Sequence, residues 1–213
     1  MSDLNADRAL IFRITHRDNV PWILQHGLHC RNSGNKDANY HEIGNPELIS
    51  KRSHREVVMP PGGTLSDYIP FYFTPHSPML LNIKTGYGGM KATPMSEIVI
   101  LVSSLRKVAE LGLPFLFSDR HAYLQTAQFF SELSNLKDNI DWKILQERDF
   151  KRVPDDPGKF ERYQAEALIY RRLPADALLG MVCKTQQTKE FLDEAQKPLG
   201  ISLKTVLRPD WYF

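Results

Sequence analysis

The sequence predicts an α+β fold, with central mixed β-sheets and inserted helices, and three observations carry that reading. Short apolar, β-prone runs recur along the chain. Helical segments interrupt them irregularly rather than after every strand. Internal repeats and low-complexity tracts are absent. At 213 residues the chain can bury a sizeable core, and 1–213 reads as one domain.

The first run, Ala9 to His16, reads as a strand. Arg17-Asp-Asn19 makes a turn, and Asp18 or Asn19 is placed to cap a helix over Val20–His26 with Pro21 in its first turn. Gly27 ends that helix. A strand that passes at once into a capped helix leaves a cleft, lined here by Thr15, His16 and the backbone around Arg13. His16 serves equally well as a cap or a solvated turn residue. Cys30 to His41 is polar and reads as a loop or flap.

A short helix starts near Asn45-Pro46 and feeds a basic cluster, Lys51, Arg52, His54 and Arg55. Such a cluster is either a solvated face or a phosphate clasp, since guanidinium groups match phosphate oxygens in pairs. Met59 to Thr64 is a connector. Phe71-Tyr-Phe73, fenced by Pro70 and Pro75, is a short strand whose aromatics fill core or stack on a flat ligand ring. Ser77-Pro78 opens a helix. The loop Thr85 to Met90 lacks the lysine and hydroxyl of a Walker phosphate loop. Glu97–Val102 is the clearest buried strand. A helix over Ser104–Leu111 stops at Gly112, and Leu113–Phe117 is another strand. A helix is expected over Leu124–Leu136. Leu178–Cys183, Thr188–Gln196 and Leu203–Leu207 read as strand, helix and strand.

Composition narrows the class. The apolar share, 42%, and the charged share, 24%, are those of a soluble globular protein. No apolar run is long enough to span a bilayer. Residues 1–8 lack a basic segment followed by an apolar one, so no secretory signal is expected. Cys30 and Cys183 form no metal or redox spacing, which points to a reduced, cytoplasmic protein. The seven histidines are scattered, and no metal is expected. A net charge of +2 neither demands nor excludes nucleic acid. Locally, Trp142, Arg148, Phe150, Lys151, Arg152, Lys159 and Arg162 interleave aromatics with cations. That pattern suits a single-stranded nucleic acid platform, although aromatics at such spacing serve equally as core.

The candidate reaction centre is Arg162 to Tyr170. Ala167-Leu-Ile-Tyr170, stopped by Arg171-Arg-Leu-Pro174, reads as a buried strand with Glu166 at its mouth. A carboxylate held there by scaffold, yet reachable, can act as acid, base or electrostatic stabiliser. The plain alternative is a surface glutamate.

Five stretches together resemble one family. They are Phe12-Arg-Ile-Thr-His-Arg-Asp-Asn19 with Ile23-Leu-Gln-His-Gly27; Asp67-Tyr-Ile-Pro-Phe-Tyr-Phe-Thr-Pro-His-Ser-Pro-Met-Leu80; Asp119-Arg-His121; Ala165-Glu-Ala-Leu-Ile169; and Asp210-Trp-Tyr212. They resemble the DarT family, bacterial toxins that ADP-ribosylate DNA. The resemblance implies an ADP-ribosyltransferase fold and NAD as co-substrate. It implies transfer of ADP-ribose to a base of single-stranded DNA in a sequence-dependent way, which blocks replication. One branch modifies thymidine and another guanosine; thymidine is the reading adopted.

By the same resemblance the catalytic glutamate is Glu166 and the essential arginine Arg52, within a NAD-binding element of about 39–57. Arg13, Ile14 and Thr15 form the first strand of the NAD pocket, with His16, Gly27 and Tyr72 as further cofactor candidates. The family often has His where this chain has Arg13, a change that is harmless if backbone atoms make the contact. Target recognition falls in about 121–166, with His121, Tyr123, Arg148, Lys151 and Arg152 as DNA contacts. The implied partner is a macrodomain antitoxin that removes ADP-ribose from DNA, and the chain is expected to act as a monomer without a metal or a membrane.

A guanidinium is a donor only, so Arg52 suits a pyrophosphate clamp, whereas His121 has the ordinary chemistry for taking the base proton. The sequence leaves that division open. It also leaves open an ADP-ribosyltransferase acting on RNA or protein, and a non-enzymatic nucleic-acid-binding module.

Overall fold

A computed structural model describes residues 4–213. The N-terminal stretch read for a secretory signal begins outside them, at residues 1–3. The strands are β1 (Leu10–His16), β2 (Leu28–His29), β3 (Tyr68–Tyr72), β4 (Ile98–Ser104), β5 (Phe115–Ser118), β6 (Phe129–Phe130), β7 (Glu166–Tyr170), β8 (Arg172–Leu173), β9 (Gly180–Cys183) and β10 (Thr205–Leu207). The helices are α1 (Val20–His26), α2 (Pro46–Arg52), α3 (Pro78–Thr85), α4 (Leu105–Glu110), α5 (Leu136–Asn139), α6 (Trp142–Glu147), α7 (Lys159–Arg162) and α8 (Gln186–Gln196). Single helical turns link several of them.

One sheet holds eight strands in the order β10-β9-β4-β1-β3-β7-β5-β6, and β2 pairs with β8. The sheet is mixed, because β10 runs parallel to β9 while its other pairs are antiparallel. β4 lies between two partners and is buried along nearly its whole length, which is what its unbroken Ile-Val-Ile-Leu-Val run requires. Ala167, Leu168 and Ile169 of β7 are likewise sealed in the core.

The junction between β1 and β3 differs from the rest. β1 matches β4 from Leu10↔Ser104 to His16↔Ile98, but it meets β3 at a single register pair, Phe12↔Tyr72. Pro70 lies in β3 and has no N–H to give to a ladder. Its carbonyl instead accepts from Arg13 Nη1 at 2.9 Å. The sheet therefore opens at its middle, and the opening is the cleft described below. Behind β3, β5 and β7 a smaller apolar cluster of Val57, Leu65, Tyr68, Leu116, Ala122 and Leu168 backs that cleft.

Gly27 has a structural task. Its φ is +84°, and a Cβ there would lie 2.6 Å from the Leu173 carbonyl, so glycine lets α1 close over the β2–β8 pair.

Two expectations are corrected. Asn19 makes no side-chain cap on α1; it is fully buried and bonds both the Thr15 hydroxyl and the His41 backbone. No helix spans 124–136. Asp119 instead brackets Gln128 through its backbone N–H and its carboxylate, and Phe129-Phe130 pairs with β5, where Phe130 stacks on Phe117. Sheet pairing of two aromatics outweighs the helical propensity around them. No helix among the described residues is long and apolar enough to cross a membrane.

Candidate active site

Glu166 is the first residue of β7 and sits opposite Tyr72 at the seam. It is 2% exposed, and its carboxylate is surrounded by donors. Arg52 Nη1 reaches Oε2 at 2.9 Å and Oε1 at 3.2 Å. The Ala122 backbone N–H donates to Oε1 at 3.0 Å, and His121 Nδ1 lies 3.3 Å from the same oxygen. The Glu166 backbone N–H donates to Ser118 Oγ, whose hydroxyl donates onward to the Arg120 carbonyl. Ser118 thus fixes both the start of β7 and the turn that delivers the Ala122 N–H.

Arg52 arrives from the last turn of α2, where the helix dipole favours a cation. α2 buries none of its residues, so its position depends on tethers. Asn45 caps it, accepting from the Leu48 N–H, and donates to the Gly88 carbonyl. Past its other end Arg55 Nη2 donates to the Leu124 carbonyl. Within the basic cluster, Lys51 pairs with Glu47 and Arg55 with that carbonyl, and it is Arg52 that enters the cleft. Arg52 Nη2 and Arg13 Nε are buried without a hydrogen-bond partner. Buried donors of that kind mark where a polar ligand fits.

Burial pushes His121 below the usual histidine range; Arg52 acts in the same direction, and Glu166 and Glu161 oppose it. Burial, and then the Glu166 carboxylate, push the Tyr72 hydroxyl well above the usual phenol range, so it remains a donor, here to Met79 Sδ.

Two cavities meet at these residues. One of about 400 Å³ is lined by Trp22, Cys30, Arg31, Lys36 and Tyr68 among others. The other, of about 130 Å³, reaches Tyr72, His121 and Glu166. Arg13, Tyr40, Glu42, Ile49, Arg52 and Pro70 line both, so they are two compartments of one cleft. An Arg31–Glu42 ion pair of 3.0 Å spans two segments of the larger one.

Of the residues singled out in the sequence, the structure brings Arg13, Ile14, Arg52, Tyr72, His121 and Glu166 to this cleft. Thr15, His16 and Gly27 line neither compartment. Thr15 is bonded to Asn19, His16 lies against Asp18 and Glu97, and Gly27 packs on Leu173. Tyr123 packs on the smaller apolar cluster. Arg148 is tied to Asp210, and Arg152 to Glu161 and the face of Phe160. Lys151 is exposed. Trp142 and Phe150 pack against the main core, Trp142 edge-on to Phe73, so the core reading of those aromatics holds.

Sequence reasoning missed Ser118 and the Ala122 N–H, and read Asn45 only as the start of a helix. Asn45 before Pro46 carried a cap signal, whereas Ser118 and a backbone donor carry none.

The α+β architecture, with its mixed sheet parted around a clamped glutamate, is the ADP-ribosyltransferase-like fold of solved DarT structures. The family described as "ssDNA thymidine ADP-ribosyltransferase, DarT" matches residues 12–213. The chain is 52% identical over 212 residues to the DNA ADP-ribosyl transferase of Escherichia coli O127:H6 (strain E2348/69 / EPEC), covering 100% of this chain and 97% of that one. Thermus sp. 2.9 DarT in complex with ADP-ribosylated ssDNA superposes with a TM-score of 0.89 at 33% identity, covering 97% of each chain. Thermus sp. 2.9 DarT in complex with NAD+ gives 0.83 at 33% identity, covering 97% of this chain and 98% of that one. The chain belongs to the DarT family of NAD-dependent DNA ADP-ribosyltransferases.

Proposed function

We propose that the cleft transfers ADP-ribose from NAD to thymidine N3 in single-stranded DNA, with Glu166, Arg52 and His121 as the working groups. The observation that carries this reading is the Glu166 carboxylate, held by Arg52, the Ala122 N–H and His121 where the smaller compartment ends. The bond from nicotinamide to ribose C1 breaks with its electron pair leaving on nicotinamide. Positive charge then builds on C1 and the ring oxygen, and a carboxylate beside that sugar stabilises it, as in glycosidases. One such electrostatic contribution supplies about 3–4 kcal/mol.

Thymine N3 forms the new bond to C1 and gives up its proton. Arg52 is a donor and already serves Glu166, so its unpartnered Nη2 is left for an anionic or carbonyl oxygen of a substrate. His121 takes the N3 proton. Its Nδ1 accepts from the Tyr123 N–H at 3.3 Å and lies 3.3 Å from Glu166 Oε1, so the positive charge the ring gains is held beside a carboxylate. Arg13, Ile14 and Tyr72 line the nicotinamide side. The segment of about 39–57 acts as the NAD-binding element, and about 121–166 reads the target, with Tyr123, Lys151 and the paired Arg148 and Arg152 at its surface. Thr15, His16 and Gly27 support this pocket from behind.

The Thermus relative's complexes with NAD+ and with ADP-ribosylated ssDNA support both substrates. In the cell this single-domain, monomeric, cytoplasmic protein acts as a toxin that blocks replication, and a macrodomain antitoxin reverses the modification. The test is incubation with labelled NAD and a panel of single-stranded DNA with or without thymidine, duplex DNA, RNA and protein. Label on thymidine-containing single strands is expected. Label on RNA or protein in its place, or equal label on duplex, overturns the proposal, because N3 is covered in a base pair.

A further inference from the structure

The histidines that look scattered in sequence are not all scattered in space. His16 ends β1, Asp18 follows it in the turn, and His41 comes from the segment that borders the cleft. One ligand atom from each lies within 4.8 Å of the others. His16 Nδ1 is 3.5 Å from Asp18 Oδ2, and His41 Nε2 is 3.9 Å from that same oxygen.

We infer that His16, Asp18 and His41 form a binding site for a divalent transition metal of the zinc type, which braces the segment around His41 against β1. Two imidazoles and a carboxylate are a common donor set for such an ion, leaving a fourth position for water. A tetrahedral ion with bonds of about 2.0–2.2 Å separates its ligands by about 3.3–3.6 Å; the 3.5 Å between His16 and Asp18 matches, and the 3.9 Å to His41 closes by a turn of its exposed ring.

An outer contact already orients the buried ligand. His16 Nε2 lies 3.2 Å from Glu97 Oε2. A carboxylate on one ring nitrogen fixes the proton there and leaves the other nitrogen, Nδ1, to face Asp18, the arrangement that supports metal-bound histidines. Arg17 Nε lies 3.6 Å from the other Asp18 oxygen, Oδ1, and so leaves Oδ2 open.

Without an ion His16 Nδ1 accepts a 3.3 Å bond from the Asp18 N–H, and the two imidazoles stack at 4.5 Å with planes 8° apart. Coordination breaks that long bond and turns the exposed His41 ring out of the stack. The His41 backbone need not move, because Asn19 grips both its N–H and its carbonyl. Tyr40 and Glu42, on either side of His41, line both compartments of the cleft, so the ion would brace the wall they form.

The test uses the untagged, chelator-treated full chain and zinc ion alone, titrated calorimetrically. One saturating equivalent is expected. Asp18→Ala and His41→Ala, both at exposed residues, should each abolish it, and Glu97→Gln should weaken it roughly 10–100-fold. A control pair, His26→Ala and His29→Ala, should bind as the unaltered protein does. Amide hydrogen exchange over residues 36–45 should slow when zinc is bound. The absence of saturable binding, or binding that survives Asp18→Ala combined with His41→Ala, overturns the site. Exchange unchanged by bound zinc overturns the bracing role.

Discussion

Arg52 and Glu166, 114 positions apart in sequence, meet through a single guanidinium nitrogen that serves both carboxylate oxygens, at 2.9 and 3.2 Å. One nitrogen does the work of two, and Nη2 is left buried without a hydrogen-bond partner. The contact also pins α2, none of whose residues lies in the core, to the strand that carries the glutamate.

Glu166→Ala is expected to lower the transfer rate by about 10²–10³-fold, the cost of one electrostatic contribution. NAD affinity should change little, because the larger compartment is untouched. Single-turnover labelling of an oligonucleotide, alongside calorimetric NAD binding, separates the two. Undiminished labelling would remove Glu166 from the mechanism.

Arg52→Ala leaves a buried carboxylate without its cation and should cost stability, about 3–5 kcal/mol for a buried pair. Arg52→Ala combined with Glu166→Ala should be less destabilised than the sum of the two single changes, and still inactive. Arg52→Lys should restore little transfer, since an ammonium that takes the place of Nη1 at the carboxylate leaves no second nitrogen for a substrate oxygen. Urea melts of the four proteins measure the coupling, and strictly additive losses would mean that the pair does not hold the site.

His121 should titrate below the ordinary histidine value of about 6.5, chiefly because it is buried. Arg52→Ala removes a cation that favours the neutral ring, so the value should rise. Glu166→Gln removes an anion that favours the charged ring, so it should fall. Protonation costs more in the folded than in the unfolded chain, so His121 contributes stability that is present above the unfolded value and is lost as pH falls through it. Nuclear magnetic resonance of the imidazole across pH 4–8 reads all three proteins. Shifts in the reverse order would contradict the arrangement.

Ser118→Ala should act as a positioning change. It removes the acceptor of the Glu166 N–H and the donor to Arg120, which loosens the turn that presents the Ala122 N–H. The expected result is a fall in kcat with KM for NAD unchanged, partly restored by Ser118→Thr, which keeps the hydroxyl. Loss of NAD affinity with kcat intact would show that Ser118 serves the pocket wall instead.

Lys151→Ala should weaken oligonucleotide binding about equally for all sequences and reduce the salt dependence by roughly one ion. Arg148→Ala should instead lower thermal stability, because that guanidinium is bonded to the Asp210 carbonyl and lies near its carboxylate. Fluorescence anisotropy at several salt concentrations checks the first, and thermal melts the second.

Much of the scaffold was legible because local signals and burial agreed. The Ile-Val-Ile-Leu-Val run of β4, Pro21 and Gly27 around α1, and Asn45-Pro46 before α2 each say the same thing at both levels. Glu166 was legible as a polar residue leading an apolar strand. What it touches was not, because Arg52, Ala122 and His121 reach it only through tertiary folding. The segment 124–136 failed for a related reason: Phe129 and Phe130 are claimed by β5, which lies outside any local window. Asn19 carries the signature of a helix cap, yet spends its side chain on His41, 22 residues away. β2 and β8 are two residues each, too short to leave a period.

The lone Phe12↔Tyr72 ladder pair, with the Arg13–Pro70 hydrogen bond beside it, makes the eight-stranded sheet two panels joined over a short seam. One panel, β10-β9-β4-β1, carries Arg13 and Ile14 on its last strand; the other, β3-β7-β5-β6, carries Glu166 and the turn beside it. A continuous ladder would pass distortion from strand to strand across the whole width. Across the seam the ladder offers one pair, so the two panels are joined chiefly by the side chains they share in the core. The glutamate takes its alignment from its own panel, through Ser118 and the Ala122 N–H, and from Arg52 of α2, so its setting owes nothing to a ladder running across the seam.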